Sequence, residues 1–253
     1  MEEIITILEF SACGNNQSAK KLQFTGEHDV RIILAIRKML EKKKWDIISV
    51  RDLPYQVLKK LEPELESAGY RLVIDPLWGS VKQKWRYSCL SVVFIRKSIK
   101  FTQCAGYPGF DTVLRYVSVM FPFKGRKIYY RTSHIPCVDE TRPQLSKQIE
   151  RKSLMLEAEV EYQKAHAKDC CISAGDFNGG VDIKCYCQRF FAEFPFKDLL
   201  SAPTYENKQQ LDHVYVSDAF QSSGLSVEGE ILDSLYMQYT DHSPVAITIK
   251  KAS

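Results

Sequence analysis

Two packed β-sheets covered by helices are the architecture that the order of segments in this chain predicts. Three observations carry it. Strand-like and helix-like segments alternate in both halves of the 253 residues, and a run of consecutive strands lies between them. No Gly/Ser- or Pro-rich linker divides the chain, so residues 1–253 read as one domain. Hydrophobic residues at 45% and charged residues at 26% are ordinary for a globular protein, and the length suffices for one large core.

The elements follow in order. Residues 4–10 read as a mostly apolar strand that breaks at the polar loop 11–16. Over 27–44, Val30, Ile33, Leu34, Ile36, Met39 and Leu40 recur at helical spacing, with lysines at the negative end of the helix. Residues 46–50 are a second buried strand halting at Arg51-Asp52-Leu53-Pro54; 55–68 is helical in period, and 69–74 returns as strand. Three strands follow at 91–95, 114–121 and 127–133, the last two joined as a hairpin through Lys124-Gly125-Arg126. Residues 142–167 are a long charged helix whose apolar positions, Leu145, Ile149, Leu154, Leu156, Val160 and Tyr162, form an imperfect stripe. A buried strand then runs out into Gly175-Asp176-Phe177-Asn178-Gly179-Gly180; 187–200 reads as helix and turn, and 212–217 and 244–249 as the last strands.

Composition excludes several functions. The net charge of +4, from 35 basic and 31 acidic residues, permits a nucleic-acid partner without demanding one. No Gly-rich loop with a lysine supports a P-loop. The Cys185-x-Cys187 spacing is not that of a zinc knuckle, and no stretch has the layout of a signal peptide or the length of a membrane span. Reduced thiols and an intracellular, cytoplasmic setting are therefore expected for the eight cysteines.

Four polar clusters sit where apolar segments meet loops: Thr132-Ser133-His134-Ile135-Pro136, Asp176-Phe177-Asn178, Leu211-Asp212-His213-Val214 and Thr240-Asp241-His242-Ser243-Pro244. Sheets build their sites at such strand ends. Asp176 and Asn178, two apart, leave a strand on one face, an anionic acceptor beside an amide donor; an Asx-type turn that only caps backbone groups is the other reading. His213, alternating with Asp212, reads as a hydrogen-bonded strand histidine.

In this combination and order the clusters resemble the motifs of the endonuclease/exonuclease/phosphatase superfamily, over nearly the whole chain. The resemblance implies a four-layer αββα sandwich of two mixed sheets flanked by helices, and a phosphodiesterase or phosphatase dependent on Mg²⁺ or Mn²⁺. It makes Asp176 the residue that orients or deprotonates the attacking water and Asn178 a holder of a phosphate oxygen. Asp212 would orient His242 beside the phosphate, Asp241 would lie at or just behind the metal, and His134 would serve the phosphate or leaving oxygen.

The amino-terminal half departs from the pattern. Where the family has Asn at the end of its first strand, this chain has Ser11, and Arg51-Asp52 replaces Gln-Glu, whose Glu is the family's principal metal ligand. Asp52 keeps the hard oxygen on a shorter arm. Glu9 is two residues before Ser11, so it could supply a carboxylate near Asp52; a glutamate on an edge strand facing water is the alternative.

Arg115, Arg142 and Ser11 are candidate substrate contacts. A nuclease is supported by basic residues (Arg86, Arg96, Lys97, Lys124, Arg126, Arg131) and by Trp78, Trp85, Tyr87 and Tyr107 in the same region, which also suit solvated loops. The same chemistry on a small or lipid phosphoester, and a non-catalytic binding module, are the alternatives.

Overall fold

The computed structural model describes residues 4–12, 27–74, 89–104, 115–141, 143–181, 185–206, 208–232 and 240–252. One sheet contains β1 (Ile5–Ser11), β2 (Ile47–Pro54), β3 (Tyr70–Val73), β4 (Cys89–Arg96), β11 (Leu225–Ile231) and β12 (Val245–Lys251). Its order is β11-β12-β1-β2-β4-β3. The other contains β5 (Thr102–Gln103), β6 (Tyr116–Phe123), β7 (Arg126–His134), β8 (Cys170–Asp176), β9 (Lys197–Asp198) and β10 (Asp212–Val216), ordered β5-β6-β7-β8-β10-β9. Each sheet is mixed: β1 runs parallel to β2, and β7 to β8.

The period-two alternation of the strands builds the layers. Ile7, Ile47, Val93 and Ile95 face Val119, Phe121, Ile128, Tyr130, Ile172 and Val214 across the space between the sheets. Leu8, Phe10, Ile48 and Val50 point the other way, onto helices α1 (Glu27–Lys42) and α2 (Tyr55–Ser67). On the far side of the second sheet, Cys171 and Tyr215 pack against Met155, Leu156 and Val160 of α3 (Leu145–Ala165) and against Phe190 and Phe191 of a 3₁₀ turn, Gln188–Glu193. The result is the αββα sandwich. Among the described residues, no helix is long and apolar enough to cross a membrane, and the described cysteines are free thiols.

Several expectations are corrected. Val30 and Leu34 are exposed; the buried face of α1 is Ile32, Ile33, Ala35, Ile36 and Met39. Leu154 also faces outward, because the buried face of α3 takes Lys152, Glu159 and Gln163 among its apolar residues, and these polar groups have partners inside. Ser173 donates to Glu159, and the Arg131 guanidinium lies 3.6 Å from it. The strands β5, β9 and β11 and the single turn α4 (Ala219–Ser222) were not expected. β5 and β9 are only two residues long, and β11 is a half-exposed edge carrying Gly229 and two glutamates.

The hairpin between β6 and β7 closes through Lys124 and Gly125, both with positive φ. That is the backbone of a type I′ turn, which follows the natural twist of paired strands.

Candidate active site

Three neighbouring strands of the second sheet end together. His134 of β7 is the register partner of Asp176 of β8, and Asp176 is in turn the partner of Asp212 of β10. The approach of β7 to β8 is close enough to require glycine at 175: its φ is +142°, and a Cβ there would lie 2.0 Å from the Ser133 carbonyl oxygen.

The first sheet supplies the opposite side. Between Val50 and Leu53 β2 carries a bulge, and Asp52 adopts φ 49°. A bulge re-aims side chains at a strand end. Here it turns both Arg51 and Asp52, adjacent in sequence, toward the second sheet. Arg51 Nη2 donates to Asp212 Oδ1 at 2.8 Å, and Asp52 Oδ1 lies 2.7 Å from His134 Nδ1. His242, just before β12, places Nδ1 2.6 Å from Asp212 Oδ2.

These contacts leave the two Nε2 atoms aimed at one oxygen. His134 Nε2 is 3.7 Å and His242 Nε2 3.8 Å from Asp176 Oδ2. Asp176 Oδ1 accepts the Asn178 backbone N–H at 2.8 Å, so the Asx turn is formed, and the same two side chains line the cleft. One hydrogen of Asn178 Nδ2 goes to the Ile135 carbonyl at 2.9 Å, leaving its second for a ligand. The cleft has a volume of about 860 Å³ and is also lined by Ser11, Arg115, Arg151, Tyr205 and Asp241. Tyr205 meets the His242 ring edge-on at 5.0 Å.

Arg115 Nη1 is 3.1 Å from His134 Nδ1. That nitrogen has one site, and the short contact to Asp52 assigns it a proton. Arg115 is therefore a cationic neighbour of the Asp52–His134 pair. Burial pushes the Asp52 carboxyl up, but His134, Arg115 and His242 outweigh it and hold it below its usual range.

The His242–Asp212 pair is buried and charged. Burial disfavours the imidazolium, yet Asp212 and Asp176 override it and raise His242 to about 9. Burial likewise opposes the Asp212 carboxylate, and His242 and Arg51 more than compensate, lowering its pKa. A raised histidine contributes stability that is complete below its unfolded value near 6.5 and lost as pH rises through the folded value. Wild-type protein is therefore expected to lose roughly 2–3 kcal/mol of unfolding free energy from this pair between about pH 6.5 and 9. Urea titrations across that range should show the loss, and the His242→Gln protein should be nearly flat over it.

Lys152 is almost fully buried, and its Nζ donates to the Asn178 carbonyl at 2.7 Å. Burial lowers its pKa. It anchors the turn that presents Asn178, and Lys152→Met is expected to cost about 1–3 kcal/mol of stability in urea denaturation.

The structure separates the expected metal ligands. Glu9 lies in central strand β1, not on an edge, and faces the space between the sheets. Tyr130 and Thr132 donate to its two oxygens, and Arg51 Nε is 3.7 Å away. Burial raises its pKa against Arg51 and these hydroxyls. It does not line the cleft, and it is not the water-facing edge glutamate that the sequence also allowed. Asp52 and Asp241 do line the cleft, but Asp52 has one oxygen committed to His134. Among the described residues, no group of three or more His, Cys, Asp or Glu side chains is placed to hold a metal ion. With Asp52 turned onto His134 and Glu9 closed off between Tyr130 and Thr132, this donor set does not fit a carboxylate-bound Mg²⁺ or Mn²⁺.

Of the other expected contacts, Ser11 and Arg115 line the cleft, and Arg142 lies outside the described residues, as do Arg86, Trp78, Trp85, Tyr87 and Tyr107. His213 is held by Asp198 at 2.6 Å and by the Gly179 carbonyl at 2.7 Å, away from the cleft lining. Arg51, Lys152, Arg151 and Tyr205 were missed. Arg51 continues the inward-facing series Ile47, Ser49, which makes a charge at that position a signal in itself.

No protein-family model matches the chain, and no curated protein matches it in sequence. Solved structures do match over nearly its full length. D. rerio TDP2 humanized by 14 mutations is 15% identical at a TM-score of 0.69, covering 98% of this chain and 99% of its own. D. rerio TDP2 complexed with a single-strand DNA product is 14% identical at a TM-score of 0.64, covering 99% and 100%. An endonuclease/exonuclease/phosphatase family protein from Bacteroides thetaiotaomicron is 16% identical at a TM-score of 0.59, covering 100% of each chain. The strand ends that bring Asp176, Asp212, His134 and His242 to one cleft thus belong to a chain with the fold of the endonuclease/exonuclease/phosphatase superfamily.

Proposed function

We propose that this chain is a phosphoric ester hydrolase whose substrate is a nucleic-acid phosphodiester. The observation that carries the reading is Asp176 Oδ2 standing between two carboxylate-oriented imidazoles at the floor of an open cleft. Asp176 takes a proton from the attacking water as the new P–O bond forms. His242, held charged by Asp212, faces the negative charge that builds on the phosphoryl oxygens, and an imidazole Nε2–H protonates the leaving oxygen as its bond to phosphorus breaks. Asn178 supplies a donor to a non-bridging oxygen.

The nucleic-acid class is supported by the single-strand DNA product named for the similar TDP2 structure, and by Arg115, Arg151 and Tyr205 on the cleft wall. Tyr205 offers a ring against which a base or sugar can stack. Asp139 and Glu140, which also line the cleft, favour a second reading, a small phosphoester, because they repel a long polyanion.

The test incubates the protein with plasmid DNA, RNA, an abasic duplex and a panel of small phosphoesters, with Mg²⁺ or Mn²⁺ and in EDTA, beside Asp176→Asn. Nucleic-acid cleavage lost in that variant is the expected result. Turnover of small esters alone selects the second reading. Turnover of nothing leaves a binding module and sinks both.

A further inference from the structure

Asp52 occupies the position where the resemblance puts the principal metal ligand, and it meets an imidazole there. Its Oδ1 fixes the Nδ1 of His134, as Asp212 Oδ2 fixes the Nδ1 of His242. The two pairs come from opposite directions, Asp52 from the bulge in β2 and Asp212 from the start of β10, yet they aim both Nε2 atoms at Asp176. A carboxylate on Nδ1 fixes the tautomer and makes Nε2 the outward-facing nitrogen.

The gaps from both Nε2 atoms to Asp176 Oδ2, 3.7 and 3.8 Å, exceed a hydrogen bond and leave room for a bridging atom. Arg115 adds a guanidinium beside His134. Three cationic or proton-donating groups therefore surround the place where a phosphate meets Asp176. A resident divalent ion would otherwise supply that positive charge, and among the described residues the carboxylates are not gathered for one.

We propose that the cleft holds the phosphate of its substrate without a divalent ion, through His134, His242 and Arg115, and that Asp52 acts as the positioning residue of His134 in place of a metal ligand. This rests on the phosphoester reading of the cleft. It separates the chain from that reading's usual metal requirement and explains why Asp52 carries one methylene fewer than the expected Glu. The shorter arm ends at His134 Nδ1.

The probe is inorganic phosphate, its binding followed by calorimetry and phosphorus NMR on the metal-stripped full chain, in EDTA and then with Mg²⁺ or Mn²⁺. The expected result is a Kd that agrees within about twofold in all three conditions. His134→Ala should weaken binding about tenfold in EDTA, and Asp52→Ala similarly, whereas Asp52→Asn, which keeps an oxygen for Nδ1, restores most of it. Phosphate that binds only after the ion is added overturns the proposal, as does an Asp52→Ala loss that excess Mn²⁺ repairs. The wild-type comparison needs no variant to fold. Phosphate bound in EDTA without cleavage of any ester would uphold this site and defeat the hydrolase reading, so the two fail separately.

Discussion

Asp176→Asn is expected to lower kcat/KM by about 10³-fold, on the order of 4 kcal/mol of transition-state stabilisation, with the fold intact. The amide keeps an oxygen where Oδ1 accepts the Asn178 N–H, so the Asx turn survives. What disappears is the basic oxygen facing the two imidazoles. In the proposed mechanism Asp176 takes the proton only as the water attacks, so kcat should carry the loss and KM should change little. Unchanged hydrolysis in this variant, with a normal melting curve, would place the water elsewhere in the cleft and remove the mechanism.

Arg51→Met should be the most destabilising single change at the site, by about 3–5 kcal/mol. The guanidinium is 2% exposed and stands between Asp212 and Glu9. Methionine fills much of its volume but leaves two buried carboxylates with less countercharge. Glu9, already raised by burial, can neutralise itself by taking a proton. Asp212 has less freedom, because His242 still holds it ionised. Adding Glu9→Gln should therefore return part of the loss, and a double-mutant cycle in urea reads that coupling directly. Additive effects would show that Arg51 and Glu9 do not communicate.

Much of this site is visible in the sequence, for a specific reason. Asp176, Asp212, His134 and His242 lie at the ends of apolar runs, where a change from buried to polar character marks a strand end whatever the tertiary partners. The surroundings of Glu9 and Asp52 are less legible because these residues act across the sheets. Nothing within ten residues of Glu9 announces that Tyr130 and Thr132 will close over it, and nothing near Asp52 announces His134. The bulge in β2 was equally hidden, since an uninterrupted strand would have sent Arg51 and Asp52 to opposite faces. Lys152 could have been found: it shares a helical face with Leu156 and Val160, and a lysine within such a stripe needs a partner. The edge strand β11 could not, because its alternation of Glu and small residues is also what an exposed loop shows.

The order in which the strands are laid down has a consequence for the protein while it is being made. The chain begins one sheet, builds all of the other, and only then returns to insert β12 between β11 and β1. His242 rides on that returning segment. A folding chain can pair Arg51 with Asp212, and Asp52 with His134, before β12 has joined β1 and brought the second imidazole to them. Its β1 edge stays open over the same interval, and long-range strand pairing of this kind closes slowly. Pairing of β12 with β1, two segments more than 230 residues apart in the chain, is therefore the contact that seats His242 beside residues already gathered on β2, β7 and β8.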